Sequence, residues 1–421
     1  MTMLNWYKES DSNQKKTFWA CYAGWALDSY DMQIFSFLLP VIMATWALTQ
    51  TQVGFIGTVA LVVTAIGGWI AGILADRYGR VKILMFTILW FTFFGVVAGF
   101  AQNYEQLLVA RTLQGLGFGG EWAVGAALMA EAVSAKHKNK AVGFVQSGMA
   151  LGWAGSVIVA TVLISLLPPE WSWRVVLWTG FLSALIVIYI RRNVKESAEF
   201  VEKIKKNHNL IEKASIRSVF KKEHLRSTIF SSLLVVGLQA ACYAILIWIP
   251  TLMNERGLSS SSKIVTILIM SMGAFAGFMF TAYLADNVGR KQTLIGMSIL
   301  SFIVTVMYML ILINQYITLA LGFFVGFSSI GMFAALGPFL SDLFPTHVRT
   351  TCMGFAYNVG KSLGALSVVG VGYLSTSIGL ATSIGLFCLV AYALATFAIL
   401  FIKVRPHAQV SVMTYEQTQE V

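Results

Sequence analysis

The chain has 421 residues, of which 57% are hydrophobic and only 12% charged, with a formal net charge of +11. Soluble domains carry about 25% charged residues, so this composition excludes a soluble enzyme, a disordered chain and a disulfide-stabilised secreted domain. Since a membrane-spanning helix uses about 20 apolar residues, the composition is typical of a polytopic membrane protein.

The apolar runs predict twelve helical spans in two groups of six. The first six spans cover about 17–43, 53–75, 83–100, 105–130, 141–167 and 173–190. The second six cover about 227–252, 264–285, 293–313, 316–341, 352–376 and 379–402. The predicted units are an N-terminal tail (1–16), a six-helix bundle (17–190), a linker (191–226), a second bundle (227–402) and a C-terminal tail (403–421).

The basic residues predict the orientation of these spans. With the N-terminus inside, 25 of the 30 Lys and Arg lie in inner loops and tails, three in outer loops and two within spans. This asymmetry predicts a multi-pass protein of the plasma or inner membrane with both termini in the cytoplasm. The linker 191–226 holds 11 Lys or Arg and is expected to form an amphipathic helix near the headgroups. Membrane lipid, and not nucleic acid, is therefore the expected partner of the positive charge.

The cysteine and histidine residues do not suggest a cofactor. The four Cys lie in or at the ends of spans without a C-x-x-C spacing, and the five His lie in inner loops or the tail. We therefore expect no disulfide, no metal site, no haem and no other cofactor. The spans also contain no nucleophile motif and no cluster typical of a membrane enzyme, so no catalytic residue is predicted.

The two halves are related by an internal repeat with an offset of about 210 residues. The matched positions keep their order along each half: Pro40 with Pro250, Ala75-Asp76 with Ala285-Asp286, Gly79-Arg80 with Gly289-Arg290, Gly115 with Gly326, and Gly120 with Gly331. Two parallel six-helix repeats are typical of transporters that bind substrate between the repeats, near the midplane of the membrane.

One repeated loop points to a family. The segment Gly72-Ile-Leu-Ala-Asp76-Arg77-Tyr-Gly79-Arg80, between spans 2 and 3, resembles the loop signature of the major facilitator superfamily. The resemblance implies an all-α integral membrane fold of 12 helices in two six-helix bundles, with spans 1, 4, 7 and 10 lining the cavity. We interpret the loop and its copy as a latch whose contacts form and break as the bundles rock. The alternative is that the arginines only fix the orientation of the chain in the membrane. The latch residues are Gly72, Asp76, Arg77, Gly79, Arg80, Asp286, Gly289 and Arg290.

Five ionisable residues lie well inside predicted spans. They are Asp28 and Asp31 in span 1, Arg111 and Glu121 in span 4, and Lys361 in span 11. Each costs roughly 2.5–3.5 kcal/mol in a bilayer, so we expect all five to face the interior of the protein. The repeat duplicates none of them, whereas it duplicates the glycines and the loop charges. This asymmetry favours a role in function over one in folding.

Three of these residues are predicted to couple transport to protons: Asp28, Asp31 and Glu121. Asp28 and Asp31 are three residues apart, about 5–6 Å on one helical face, and their repulsion favours a bound proton. The alternative is permanent pairing with Arg111, which could instead meet an anionic substrate. Lys361 is the predicted partner of a substrate carboxylate. Further candidate substrate-binding residues are Tyr30, Gln33, Gln146, Gln239, Tyr357 and Asn358.

A closer resemblance suggests the substrate class. Leu27-Asp28-Ser29-Tyr30-Asp31 is similar to the Asp-Gly-Phe-Asp type sequence of the aromatic-acid and sialate proton symporters, as is Gly119-Gly120-Glu121. The resemblance implies a monomer that imports a small organic acid anion with H+ by alternating access. The anion could be an aromatic acid, a sialate or a related monocarboxylate.

Two other functions remain open. A proton-coupled exporter is disfavoured because span 5 contains no Pro before Pro168, whereas drug antiporters of the superfamily carry a Gly-Pro motif there. A non-transporting membrane sensor is disfavoured because no loop is long enough to form a soluble sensory domain.

Overall fold

The computed structural model describes residues 5–133, 138–196, 220–310, 315–344 and 349–402, and no β-strand occurs within those ranges. The helices of the N-terminal half are α1 (Asn5–Glu9), α2 (Ser12–Trp46), α3 (Gln50–Tyr78), α4 (Arg80–Ala98), α5 (Tyr104–Ala132), α6 (Lys138–Leu166), α7 (Pro169–Trp178) and α8 (Ser183–Asn193). Those of the C-terminal half are α9 (Lys222–Glu255), α10 (Ser260–Asn287), α11 (Arg290–Leu310), α12 (Gln315–Val325), α13 (Phe333–Leu343), α14 (Arg349–Gly364), α15 (Leu366–Ile378) and α16 (Leu380–Phe401).

These helices form the twelve predicted spans, in two bundles of six. Three spans are composite: α7 and α8 are joined by a 3-10 turn (Thr179–Leu182), α12 and α13 by a π-helical segment (Gly326–Ile330), and α14 and α15 meet at a break. Within the described ranges, nine helices are long and apolar enough to cross a membrane on length and composition alone. The other three spans are α2, α5 and α14–α15, and they carry the five interior ionisable residues.

Helix ends are set by local polar groups. Asp11 and Thr49 form capping boxes with Gln14 and Gln52, which satisfy backbone N–H groups at the starts of α2 and α3. Most helices extend a few residues beyond the predicted spans, because such polar ends project past the apolar core. The predicted amphipathic helix of the linker falls mainly on 197–219, outside the described residues. The proposed unit boundaries therefore stay predictions.

Glycines bring α5 against α3 in the N-terminal bundle. A Cβ at Gly115 would collide with the carbonyl oxygen of Ala60, and one at Gly119 would collide with the carbonyl oxygen of Thr64. Small residues of this kind let membrane helices approach until their backbones touch. The close packing orients α5 so that Arg111 and Glu121, each at most 4% exposed, lie inside the protein.

The two bundles meet along three helix pairs: α2 packs on α9, α6 on α10, and α3 on α14–α15. The distal end is the end of the molecule opposite the start of α2 and the end of α16. There Gln50 donates a hydrogen bond of 2.7 Å from Nε2 to Oε1 of Glu255 and also bonds to Ser375. Polar contacts therefore join the bundles at the distal end.

Candidate functional site

A cluster of buried charges lies between α2, α5 and α14. Asp28 is 3% exposed and interacts electrostatically with Lys361 of the other bundle. It also interacts with Glu121 of α5. Asp28 and Glu121 are buried and Lys361 is half-buried, so two carboxylates and one ammonium group lie within electrostatic range of one another across the two bundles. Such an arrangement carries excess negative charge unless a proton binds.

Glu121 points toward α2 because Gly24 leaves room for it. A Cβ at Gly24 would lie 2.7 Å from Oε1 of Glu121, closer than real Cβ contacts come. Gly125, one turn along α5, leaves space on the other side, where a Cβ would lie 3.6 Å from the same oxygen. Any larger residue at position 24 would displace this carboxylate from α2.

Asp31 lies one turn from Asp28 on α2 and interacts with it electrostatically, but its hydrogen-bond partner belongs to the N-terminal bundle. Its Oδ2 accepts a hydrogen bond of 3.0 Å from the hydroxyl of Ser183, at the start of α8. Gly180, in the 3-10 turn between α7 and α8, leaves space for its Oδ1. Next to it, the hydroxyl of Tyr30 lies 2.6 Å from Oγ1 of Thr179. The structure therefore directs Asp31 and Tyr30 into the N-terminal bundle.

Arg111 also lies inside the N-terminal bundle. Its guanidinium carbon lies 4.2 Å from the ring centroid of Phe35, a cation–π contact, and its Nη1 donates to Oε1 of Gln114 at 2.5 Å. Its charge interacts with that of Asp31. The two predicted roles of Arg111, pairing with a span 1 carboxylate or binding an anionic substrate, stay predictions.

Several polar side chains of the C-terminal bundle lie on α9 and on the stretch of α14 that leads to Lys361. Gln239 donates from Nε2 to the hydroxyl of Tyr357 at 3.4 Å, which joins α9 to α14. Asn358 donates to the carbonyl oxygen of Gly354 at 2.9 Å, so its amide nitrogen is engaged within α14. Tyr243 of α9 is buried and interacts electrostatically with both Tyr357 and Asp28. These groups place hydroxyl and amide functions close to the charge cluster.

Several buried polar atoms lack a hydrogen-bond partner among the described residues. Those near the charge cluster are Oδ1 of Asp28, Oε2 of Glu121, Nε of Arg111, and both amide atoms of Gln33, and others are spread through both bundles. An unsatisfied buried polar atom costs about 1–3 kcal/mol. Most such atoms in proteins are bonded, and exceptions call for an explanation such as a bound ligand or water. Gln33 is 1% exposed, and its free donor and acceptor suit a neutral polar group.

A small pocket opens beside Glu121. Its lining residues come from α2, α5 and α6 and are mostly apolar: Cys21, Trp25, Glu121, Gly125, Val142, Val145 and Gln146. The indole N–H of Trp25 donates to the carbonyl oxygen of Gln146 at 3.2 Å. Gln146 is therefore near Glu121 and within one bundle, whereas Gln239, Tyr357 and Lys361 lie in the other.

The predicted latch is described in part. Gly79 and Gly289 have φ of 109° and 106°, which only glycine adopts without strain, at matching turns of the two repeats. Arg290 donates from Nη1 to Oδ1 of Asp342 at 2.6 Å and to the Pro338 carbonyl at 2.8 Å. In the N-terminal half, the backbone N–H of Arg80 donates to Oε1 of Glu196 at 2.9 Å.

The structure shows few contacts for the remaining predicted latch residues. Arg77 is exposed and lies over the ring of Tyr78, and a Cβ at Gly72 would meet no neighbour within 4 Å. The side chains of Asp76 and Asp286 lie outside what the structure describes.

Sequence reasoning missed Gly24, Ser183, Asp342 and Glu196 as members of these sites. Each acts through a contact between helices far apart in the chain, for which the local sequence carries no signal. At the offset of the internal repeat, Asp342 also corresponds in sequence to Glu131, which is a signal that a carboxylate recurs at this position of both halves. Within the described residues, no group of three or more His, Cys, Asp or Glu could hold a metal ion.

Comparison with known proteins identifies relatives along nearly the whole chain. The family model described as Major Facilitator Superfamily matches residues 22–368. A probable 4-methylmuconolactone transporter of Cupriavidus pinatubonensis is 63% identical over 95% of this chain and 93% of its own length. The sialic acid transporter NanX of Escherichia coli is 29% identical over 90% of this chain and 92% of its own length.

A solved structure has the same architecture. The crystal structure of a D-xylose-proton symporter superposes with a TM-score of 0.75 at 17% identity, covering 93% of this chain and 99% of that one. The similarity of fold confirms the predicted twelve-helix, two-bundle arrangement. The relatives are membrane transporters and not enzymes.

Proposed function

Because this chain belongs to the Major Facilitator Superfamily, we propose that it is a secondary transporter that imports a small organic acid anion together with H+. The family accounts for transport across a membrane by a multi-pass protein. The substrate class and the proton coupling are our inference from the site. We place the chain in the plasma or inner membrane with both termini in the cytoplasm, from the distribution of Lys and Arg.

The observation that carries the proposal is the charge cluster at the bundle interface. Asp28 and Lys361 belong to different bundles and interact electrostatically, and the free Oδ1 of Asp28 and Oε2 of Glu121 leave room for a proton. The five interior residues sum to three negative and two positive charges. One proton neutralises them, and a substrate carboxylate then binds Lys361 in competition with Asp28.

This competition provides a coupling mechanism. An ammonium group buried at the interface needs one anionic partner. When the substrate carboxylate takes that place, Asp28 loses its counter-charge and retains a proton. Proton and anion therefore bind together more favourably than either does alone, which links their movements.

We propose different roles for the remaining site residues. Asp28 and Glu121 carry the transported proton, and Asp31 and Arg111 support the N-terminal bundle. Gln33, Gln239 and Tyr357 offer donors and acceptors to neutral parts of the substrate. The similarity to a probable 4-methylmuconolactone transporter supports an organic acid of this kind as the first candidate, and the similarity to a sialic acid transporter supports a hydroxylated acid as the second.

The test is acid-induced proton movement in proteoliposomes that contain the purified protein. A panel of unsaturated lactone acids, aromatic acids, sialate and short hydroxy acids is added outside, and external pH is followed. We expect alkalinisation with one acid class, its loss in Lys361→Ala, and partial activity in Lys361→Arg, which keeps the charge. Absence of a response to every acid would contradict the proposal and favour export or a neutral substrate.

A further inference from the structure

The hydrogen-bond ladder of span 11 is interrupted at Ala365, between α14 and α15 and one turn after Lys361, while the backbone of Ala365 stays in the helical region (φ −61°, ψ −23°). We call this interruption the break in span 11. In an unbroken helix the N–H of Val369 would donate to the carbonyl of Ala365. Here that N–H donates to the hydroxyl of Thr58 at 3.1 Å, and the same hydroxyl donates to the Ala365 carbonyl at 3.0 Å. Thr58 belongs to α3, so a side chain of the N-terminal bundle is inserted into the hydrogen-bond ladder of a helix in the C-terminal bundle. An inserted side chain is a known cause of helix kinks.

Glycines allow the helices to approach closely enough for this insertion. A Cβ at Gly54 of α3 would lie 3.0 Å from the carbonyl oxygen of Val368, and one at Gly372 of α15 would lie 2.6 Å from that of Gln50. The carbonyl of Val368 accepts a hydrogen bond of 3.0 Å from the indole of Trp248. The backbones of α3 and α15 are therefore in direct contact, and the backbone around the break has specific partners.

The polar contacts between the bundles at the distal end differ in burial. The side chain of Thr58 is buried, with 4% exposure, the bond between Gln50 and Ser375 is partly buried, and the bond between Gln50 and Glu255 is exposed. Water can replace an exposed hydrogen bond when the bundles separate, but it reaches a buried one less readily. When the bundles separate, the hydrogen bonds of Thr58 are therefore the least readily replaced by water. Other groups of the protein must take their place.

We propose that Thr58 is a positioning residue of the transport cycle, whose hydroxyl holds the break in span 11 open only while the bundles are closed at the distal end. When α3 withdraws, the Val369 N–H loses its partner, and the Ala365 carbonyl keeps only the N–H of Val368, which donates to it at 3.0 Å. The Ala365 carbonyl is then the nearest acceptor for the Val369 N–H, because a carbonyl oxygen accepts two hydrogen bonds and a buried N–H requires a partner. Span 11 then becomes a continuous helix when the distal end opens.

The consequence for the site follows from the position of Lys361. The N–H of Ala365 donates to the Lys361 carbonyl at 3.1 Å, so Lys361 lies in the turn that adjoins the break. Closing the break changes the direction of α14 relative to α15 and moves Lys361 relative to Asp28. This step rests on the role proposed for Lys361 in anion binding. It links opening of the distal end to a change in the affinity of the site.

The experiment measures the conformational equilibrium directly. Spin labels are attached to Glu105→Cys and Ser260→Cys, two exposed distal positions in different bundles, and the distance between them is measured by pulsed electron resonance in lipid nanodiscs. The four native cysteines are buried, which directs labelling to the introduced sites. The compared variants are Thr58→Val, which keeps the shape without the hydroxyl, Thr58→Ser, which keeps the hydroxyl, and Thr64→Val.

Thr64 provides the matched control. It lies on the same helix, is 3% exposed, and bonds at 2.8 Å to Ala60 within its own helix. We expect Thr58→Val to raise the ratio of distally open to closed protein about tenfold, because two buried hydrogen bonds are lost. Thr58→Ser should restore the wild-type distribution, and Thr64→Val should leave it unchanged.

Two outcomes would overturn the inference: an unchanged distribution in Thr58→Val, or an equal shift in Thr64→Val. The measurement needs no substrate, so it is independent of the proposed function. Failure of the wild type to take up any acid contradicts the proposed function alone. An unchanged distance distribution with normal acid uptake contradicts the role of Thr58 alone.

Discussion

Ser183 donates a hydrogen bond of 3.0 Å to Oδ2 of Asp31. This contact gives Asp31 a hydrogen-bond partner that Asp28 does not share, although the two carboxylates lie only three residues apart on α2. Asp31 is held against α8, within the N-terminal bundle, whereas Asp28 interacts with Lys361 across the bundle interface. The spacing in the sequence predicts an equivalent pair, but their different neighbours are the basis on which we propose different roles for them.

The first prediction concerns this division of roles. Asp31→Asn keeps an oxygen that accepts from Ser183, so we expect acid-driven proton uptake to persist within about tenfold of wild type. Asp28→Asn should abolish proton uptake but retain exchange of labelled acid across the membrane, because the proton carrier is lost and the anion site is not. A pH-sensitive dye and counterflow of radiolabelled acid measure the two activities. Equal loss of proton uptake in both variants would contradict the division.

The second prediction concerns the space that Gly24 leaves for Glu121. Gly24→Ala brings a Cβ to 2.7 Å from Oε1 of Glu121 and should reduce the rate of acid uptake several-fold by displacing that carboxylate. Glu121→Asp shortens the side chain, so the double variant should recover part of the activity lost in Gly24→Ala. Initial uptake rates of the two single variants and the double variant show whether the two substitutions are coupled. Additive losses would show that the two positions act independently.

The third prediction concerns stability. A Cβ at Gly119 would collide with backbone atoms of Thr64 and Gly68, which cannot move without separating α5 from α3. We expect Gly119→Ala to lower the free energy of unfolding by about 1–3 kcal/mol through overpacking. Gly143→Ala is the control, because a Cβ there meets no atom within 4 Å. Thermal unfolding in detergent should separate the two, and equal stabilities would contradict the close approach.

The fourth prediction concerns the ion pair between Arg290 and Asp342, whose atoms lie 2.6 Å apart at side-chain exposures of 21% and 14%. Asp342→Asn and Arg290→Gln should each destabilise the protein, and the double variant should lose less than their sum. For a partly exposed pair we expect a coupling energy of about 1 kcal/mol or less. A double-mutant cycle from unfolding midpoints measures it. A coupling energy of zero would mean that the residues are adjacent without stabilising each other.

Much of the fold could be predicted because the membrane restricts which backbone conformations a spanning segment can adopt. Within hydrocarbon every backbone polar group needs an internal partner, so a long apolar run must be a helix. The loop around Gly79 and its copy around Gly289 pointed to the family because their sequence resembles its signature, and both turns have the positive φ that glycine adopts without strain. The interior position of Asp28 and Lys361 followed from the cost of exposing a charge to lipid.

The breaks within the spans could not be predicted. Gly364 at the end of α14 is a weak local signal, and the sequence carries no sign that the hydroxyl of Thr58, about 300 residues earlier in the chain, bonds to the backbone at this point. Likewise, the spacing of Asp28 and Asp31 predicts a shared face, and only the position of Ser183 shows which helix holds the second carboxylate.

The sequence alone therefore determined the number of spans, their grouping into two related bundles, and the five charges that had to face inward. These properties depend on composition and periodicity, which local physical chemistry controls. Only the tertiary structure decided which charges meet, which carboxylate remains free, and where a helix is interrupted. Those outcomes depend on contacts of a few ångströms between helices that are distant in the chain, and the approach of two helices is set by their joint packing.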